Sequence, residues 1–245
     1  MTDTTRLQAL LDRSLGDLVA ERTQMAIVFE RFGLDYCCRG KQTLADAARA
    51  RGVPPTDLLD ALGDLPDAID TDEVPMTADL DVLTRYIVEH HHAYIRSTAP
   101  TVLTWLDKLV DRHGAWHPEL VHVRATFQRL ADELFMHMGK EENILFPYID
   151  AMAASKRAGG NMPRSPFGTV TNPVRVMEDD HALAGELAEE LRALTHDFTP
   201  PDDACRTYRL CYDELARFAM DLHRHVHLEN HVVFPRAVAL EQALV

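Results

Sequence analysis

Two segments of the chain carry the same pattern of a histidine, a glutamate and a Phe-Pro pair. The matching residues are His137, Glu141, Phe146 and Pro147 in one segment, and His225, Glu229, Phe234 and Pro235 in the other. Side chains four residues apart in a helix lie on one face, so the imidazole and the carboxylate of each pair can reach one site. A single pair of this kind is more often part of a solvated helix face, but two pairs in register favour a metal site.

Each pair also shares the phase of the apolar residues around it. These residues are Leu130, Leu134 and Leu145 around the first pair, and Phe218, Leu222 and Val232 around the second. Ionisable side chains on such a stripe need a partner or a metal ion, because burial of a bare charge is costly. The pattern therefore predicts ligands that point into the interior of a helical bundle.

Two further histidines, His91 and His181, have the same periodicity. Their apolar neighbours in phase are Leu83, Ile87 and Ile95 for His91, and Val174, Met177 and Ala184 for His181. The four histidines follow one another at intervals of 46, 44 and 44 residues, which predicts one ligand set per helix. His91 stands between two other histidines, and successive helical side chains point about 100° apart, so only one of the three should face the site.

The predicted ligand set defines the expected chemistry. Four histidines and two glutamates are too many for one ordinary metal ion, but they suit two ions with the glutamates bridging. Imidazole and carboxylate ligands suit iron, zinc or manganese, and iron is favoured because thiolates are absent from the stripes. Because imidazoles are neutral, two ions bound by this set should be easier to reduce than two ions bound by four carboxylates. Such a site suits electron transfer or reaction with dioxygen or nitric oxide.

The elements that must position these ligands are helices. Ala, Leu, Glu and Arg are abundant and glycine is scarce, so we predict an all-α fold with an up-down four-helix bundle behind a small helical domain. The bundle helices are predicted at about 79–112, 118–154, 172–197 and 202–240. A helix from Ser14 to Gly33 and two short ones at 43–51 and 56–62 form the small domain. The predicted domains are 1–66, an acidic linker at 67–78, and the bundle at 79–245.

Composition narrows the class of protein. The 245 residues carry a formal net charge of −14, and no basic run offsets it, so nucleic acid is not an expected partner. No apolar run is long enough to span a membrane, and no export signal opens the sequence. Four cysteines, two of them adjacent, are too few for a disulfide scaffold. These features predict a soluble protein of the reducing cytoplasm.

Several segments together resemble a known family. They are FGLDYCCRGKQTL at 32–44, His91, HMGKEENILFP at 137–147, VMEDDHALAGEL at 176–187 and HVHLENHVVFPRA at 225–237. They are similar to the bacterial iron-sulfur cluster repair di-iron proteins, which pair a DYCC domain with a hemerythrin-like bundle. The resemblance extends over nearly the whole chain and selects His91 among its neighbours. It implies an oxo- and carboxylate-bridged di-iron centre held by His91, His137, Glu141, His181, His225 and Glu229.

Other residues have secondary roles in this interpretation. Cys37 and Cys38 are candidates to bind a cluster, pass a persulfide or exchange a disulfide, with two small buried residues as the alternative. Glu133, one turn before a predicted ligand, and Asp180, where the family usually has Glu, are candidates to orient ligands or pass protons. Three histidines off the ligand phase are predicted to be surface residues. They are His223, His227 and His231.

Three functions use the same ligands. The resemblance implies repair of iron-sulfur clusters after nitrosative or oxidative stress, by donating iron to the damaged iron-sulfur proteins, in a protein that is part carrier and part oxidoreductase. The second hypothesis is a hemerythrin-like binder or sensor of dioxygen or nitric oxide. The third is a nitric oxide reductase, which needs an electron donor. The sequence does not choose between enzyme and carrier, and a homodimer through the dithiol domain stays open.

Overall fold

The computed structural model describes residues 9–37, 39–65, 76–161 and 163–244. This part of the chain is helical and contains no β-strand, only an isolated bridge between Ser14 and Thr43, so the predicted all-α class is confirmed. The chain divides into two compact units. The first unit is Met1–Ala78 with His223–Arg236, and the second unit is Asp79–Leu222 with Ala237–Val245.

The first unit begins with a 3₁₀ turn at Ala9–Asp12 and four short helices. These are α1 (Leu15–Glu21), α2 (Met25–Arg31), α3 (Leu44–Arg51) and α4 (Pro55–Gly63). Side-chain caps start two of them, because Ser14 Oγ accepts from the Asp17 amide and Thr43 Oγ1 accepts from the Asp46 amide. Gly52 ends α3 in the left-handed region, with φ of 67°.

The single helix predicted from Ser14 to Gly33 is wrong, because it is divided into α1 and α2. Arg22 is extended between them, with φ of −145° and ψ of 93°. Its guanidinium donates to the carbonyl of Leu65 at 2.9 Å, a contact that the local sequence does not encode. The break lets both helices pack on the same core, whose largest fully buried members are Leu15, Leu18, Phe29, Tyr36, Leu44, Leu58 and Leu62.

Four long helical runs follow, and three of them contain a π-helical segment. The first is α5 (Leu80–Tyr86), π1 (Ile87–His92) and α6 (Ala93–His113), and the second is α7 (Glu119–Lys140), π2 (Glu141–Leu145) and α8 (Phe146–Arg157). The third is α9 (Thr171–Leu194), and the fourth is α10 (Arg206–Leu228), π3 (Glu229–Val233) and α11 (Phe234–Leu244). They match the four predicted helices in number and order.

Within the second unit the helices pack in neighbouring pairs, α6 on α7, α7 on α9, and α5 on α8. Fully buried apolar side chains fill the space between them, among them Val102, Leu106, Val123, Phe127 and Ile149. These interdigitating side chains hold the helix backbones in place. The ligand-bearing positions therefore stand on rigid elements.

The Phe-Pro pairs explain where two of the π segments end. A proline has no amide N–H, so Pro147 and Pro235 cannot donate to the carbonyl four residues earlier. The residue before each proline makes the wider hydrogen bond of a π-helix, to the carbonyl five residues earlier. The amide of Phe146 donates to the carbonyl of Glu141, and the amide of Phe234 donates to the carbonyl of Glu229. Both of these segments, π2 and π3, begin at a predicted ligand glutamate, and π-helical segments are frequent at functional sites.

The domain division stays a prediction, and most of the linker at 67–78 lies outside the described residues. One grouping differs from it, since His223–Arg236 belongs to the first unit. No helix in the described part of the chain has both the length and the apolar character that a bilayer span requires.

Candidate metal centre

Three predicted ligands converge in the second unit. The ligand atoms of His137, Glu141 and His181 all lie within 4.8 Å of one another. His137 Nε2 is 3.2 Å from Glu141 Oε2 and 3.1 Å from His181 Nε2. The three side chains are buried, with exposed fractions of 2%, 0% and 1%. Helices α7 and α9, together with the first residue of π2, thus direct two imidazoles and one carboxylate to a point closed to solvent.

The first long helix brings His92 next to Glu141, whereas the sequence argument selects His91. His92 is fully buried, and its Nε2 lies 3.3 Å from Oε2 of Glu141. His91, whose Nδ1 lies 2.9 Å from Oδ1 of Asp221, is not among the described side chains whose ligand atoms lie within 4.8 Å of one another. The geometry therefore favours His92 as the ligand from this helix.

The π segment supplies the physical reason for this difference. The prediction extends the α-helical rhythm of Leu83 and Ile87 by four residues, which leads to His91. Residues 87–92 are π-helical, and the wider turn delays the facing position by about one residue. Periodicity in the sequence cannot register this shift, because it assumes 3.6 residues per turn throughout.

Asp180 lies behind His137. Its Oδ2 is 3.4 Å from Nδ1 of His137 and accepts from Lys140 Nζ at 2.7 Å. The hydrogen bond to His137 is the largest cause that lowers the pKa of Asp180 to about 2, with Lys140 adding to it and burial opposing it. A carboxylate on Nδ1 leaves Nε2 to face the site, which is how metal-binding histidines are commonly oriented.

Glu142 plays the same part for His92, and the sequence argument missed it. Its Oε1 accepts from His92 Nδ1 at 2.6 Å and from Arg96 at 2.8 Å. Burial raises the pKa of Glu142, but the hydrogen bonds from Arg96 and His92 outweigh it and lower the pKa overall. One sequence signal could have indicated Glu142. It directly follows the predicted ligand Glu141, so its side chain starts from the same helical turn as the ligand.

The second HxxxE pair lies in the first unit. His225 Nε2 is 2.9 Å from Glu229 Oε1, and both side chains are fully buried. The i, i+4 spacing brings the two side chains together as the sequence predicts.

The donor set fits a metal ion. Glu141 and Glu229 are completely buried carboxylates in contact with imidazole nitrogen atoms. Burial of such groups is costly unless a cation or a full set of donors compensates them. Imidazole nitrogen and carboxylate oxygen together suit iron, zinc or manganese.

Glu133 does not join this group. It is half-buried on α7, and no hydrogen bond or ion pair to a ligand candidate is found for it among the described residues. The role proposed for it from the sequence stays a prediction without a contact to carry it.

Cys37 is buried in the first unit, and Cys38 lies outside the described residues. The Sγ atom of Cys37 is 3.1 Å from Oδ1 of Asp35, which also accepts the Cys37 amide. Arg39 and Lys41, the basic residues close to Cys37 in the sequence, are exposed. The Cys37 sulfur therefore has an acidic neighbour. Because the side chain is buried, reagents in solution have limited access to it.

The prediction that His223, His227 and His231 are surface residues is wrong. His227 is 2% exposed, and the other two are half-buried. Burial is the main cause that lowers the pKa of His227 to about 3, so its ring is neutral. The helical phase places these rings opposite the ligands, and only tertiary packing decides that this side is covered as well.

Comparison with known proteins first defines the class. Residues 83–237 match the model of the hemerythrin HHE cation-binding domain. Residues 11–66 match the ScdA_N model, described as a domain of unknown function. The helical bundle and its buried histidines and glutamates thus belong to a hemerythrin-like, cation-binding class.

Curated relatives match along nearly the whole chain. The iron-sulfur cluster repair protein YtfE of Dickeya chrysanthemi is 34% identical over 227 residues, which cover 93% of this chain and 97% of that protein. The YtfE protein of Salmonella paratyphi B is 35% identical over 95% of this chain and 100% of its own. ScdA of Staphylococcus haemolyticus, also named an iron-sulfur cluster repair protein, is 27% identical over 90% and 95%. The chain belongs to this family of iron-sulfur cluster repair proteins.

Proposed function

We propose that this protein is a non-haem di-iron protein that repairs iron-sulfur clusters damaged by nitric oxide or oxidative stress, by supplying iron to the damaged protein. The observation that carries the proposal is the buried convergence of His137, Glu141 and His181 in a cation-binding domain. The relatives named as cluster repair proteins support the target class.

Six residues would hold the two ions. We assign them to His92, His137, Glu141, His181, His225 and Glu229, with His92 in the place that the sequence argument gives to His91. The repeated HxxxE pattern supports the inclusion of the second pair, because both copies have the same spacing and complete burial. The bound iron would supply redox chemistry, and the iron that leaves would be the material for the repaired cluster.

The protein's own residues prepare this site by orienting the imidazole rings and by excluding water. Glu142 and Asp180 hold the Nδ1 atoms of His92 and His137, so that both Nε2 atoms face Glu141. Buried apolar side chains on the same helices, such as Leu134 and Leu145, exclude water. The ion pair of Asp180 with Lys140 is partly exposed, so the orientation of His137 depends on a contact that solvent can reach.

Dioxygen or nitric oxide is the proposed small ligand, and an electron donor would reset the iron. The scarcity of cysteines fits a reducing cytoplasm. Cys37 and Cys38 are proposed to relay sulfur or exchange thiols with a client, or to bind a cluster as a homodimer.

The test is iron transfer to a client whose [4Fe–4S] cluster has been degraded with nitric oxide. In a mixture that also supplies sulfide and a thiol reductant, the iron-loaded protein should restore the client's cluster absorption and activity while losing its own iron. Two controls are an equal concentration of free ferrous iron and the variant Glu229→Ala, which should purify with less iron. Restored clusters without loss of iron would contradict iron donation, and retained iron without restored clusters would favour a gas-binding protein.

The cysteine proposal has a separate variant. Cys37→Ser combined with Cys38→Ser should leave the iron content unchanged and reduce the rate of cluster repair. An unchanged repair rate would remove both cysteines from the mechanism.

A further inference from the structure

The segment around Cys37 is held by a histidine from the fourth helical run, within the first unit. The Nε2 atom of His231 donates to the carbonyl of Cys37 at 3.1 Å. The His231 ring also fills a slot between two glycines, since a methyl group at either Gly16 or Gly40 would overlap it. We call residues 35–37 and 39–41 the cysteine loop. The glycines of this slot admit the ring, and the ring fixes the loop backbone at Cys37.

Neighbouring contacts hold the same loop. The fully buried Tyr36 ring meets the edge of the His227 ring, with 5.4 Å between centroids. The Tyr36 hydroxyl donates to Glu30 at 2.9 Å, and Arg224 donates to the same carboxylate at 3.2 Å. The rings of His227 and His231 stack on each other at 5.0 Å. The loop is therefore seated on one face of residues 223–231.

The opposite face of this segment carries the proposed ligands His225 and Glu229. His227 stands two residues after one and two residues before the other, and His231 two residues after the second. Two residues correspond to a rotation of about 200°, so the two sets point to opposite sides. One short helical segment thus holds the cysteine loop on one side and metal ligands on the other.

We propose that His231 is a positioning residue that couples Cys37 to Glu229. With its ring in the slot, His231 fixes the loop and the backbone turn from which Glu229 projects. A change at Cys37 or at Glu229 that displaces the His231 ring therefore alters the other residue as well. The coupling free energy must be the same in both directions. The proposal rests on the proposed function only through the role of Glu229 as a ligand.

The probe is alkylation of Cys37 by iodoacetamide, followed by mass spectrometry. A Cys38→Ser background leaves one thiol in the loop, and each sample is measured without metal and with ferrous iron. A buried thiol reacts only after local opening, so the rate reports how firmly the loop is held. Bound iron should lower the alkylation rate of Cys37 in the background protein about fivefold, which is within the usual range of coupling between sites.

The variants separate the hydrogen bond from the packing. His231→Phe keeps a ring in the slot without the donor, and should raise the alkylation rate about tenfold and abolish the effect of iron. His231→Gln retains an N–H donor at similar reach and should restore both toward the background values. His122→Ala, at an exposed histidine of α7, should behave like the background.

The outcomes decide the proposal. Equal alkylation rates in His231→Phe and the background, or an unchanged effect of iron in that variant, would overturn it. Iron content is measured on the same samples. A background protein without bound iron would overturn the proposed function, while the comparison of alkylation rates would still decide whether His231 positions Cys37.

Discussion

The Nε2 atom of His92 lies 3.3 Å from Oε2 of Glu141, and both side chains are completely buried. These residues are far apart in the chain, and the α-helical phase of the first long run leads to His91 rather than to His92. Because π1 ends at His92 and π2 begins at Glu141, both partners of the contact stand at the boundary of a π-helical segment. The site therefore depends on departures from regular helix geometry at the ligand positions.

The first prediction separates the two adjacent histidines. His92→Ala should lower iron affinity at least about tenfold, because it removes an imidazole next to Glu141. His91→Ala is the matched control, and should retain most of the iron, since among the described residues His91 is not one of the side chains whose ligand atoms lie within 4.8 Å of one another. Metal analysis of both purified variants measures the effect. Depletion in His91→Ala with full loading of His92→Ala would return the assignment to His91.

The second prediction concerns the carboxylate behind His92. Glu142→Gln keeps the shape of the side chain but removes the charge that holds Nδ1, so iron affinity should fall about tenfold. Competition with a chelator measures that affinity. Glu89→Gln, at an exposed position of π1, is the control and should leave it unchanged. Identical affinities in both variants would show that Glu142 does not orient His92.

The third prediction is a pH dependence of stability in the second unit. Hydrogen bonds with Asp203 and Glu119 raise the pKa of His117 above its ordinary value, against a smaller effect of burial. Because the pKa of His117 is higher in the folded state than in the unfolded state, its protonation stabilises the fold. This contribution is complete below the unfolded-state pKa of about 6.5 and is lost as the pH rises through the folded-state pKa. Asp203→Asn should therefore destabilise the protein at about pH 6 and have little effect at about pH 9.

Chemical unfolding of wild type and variant at both pH values measures this difference. Asp202→Asn removes the same charge from the neighbouring exposed position and serves as the control. A destabilisation by Asp203→Asn that grows with pH would have the wrong sign and would refute the assignment to His117.

The fourth prediction concerns a buried carboxylate near the end of the chain. Glu241 is 8% exposed and accepts from the Val170 amide at 2.8 Å, from Thr169 and from Tyr148. Glu241→Ala should lower the free energy of unfolding by about 3 kcal/mol, because buried donors lose their acceptor. Glu241→Gln keeps one acceptor oxygen and should cost less. Denaturant titration measures both, and Gln242→Ala, at an exposed neighbour, should have no effect.

Much of this protein could be predicted from local patterns in the chain. Amphipathic periods, proline and glycine boundaries and the caps at Ser14 and Thr43 predict the helices, because these signals act between residues close in sequence. The repeated HxxxE-Phe-Pro pattern predicts two buried ligand pairs for the same reason. His137 and Glu141 converge with His181 as expected, since all three follow the regular phase of their helices.

Tertiary structure decided what periodicity could not express. The π segment before α6 moved the facing position from His91 to His92. Glu142 and Asp180 acquired their roles from residues about fifty and forty positions away, to which no local spacing refers. The burial of His227 and the contact of His231 with Cys37 depend on chain segments that meet only after folding. A sequence records which face of a helix a residue occupies, whereas packing determines whether that face is covered and by which partner.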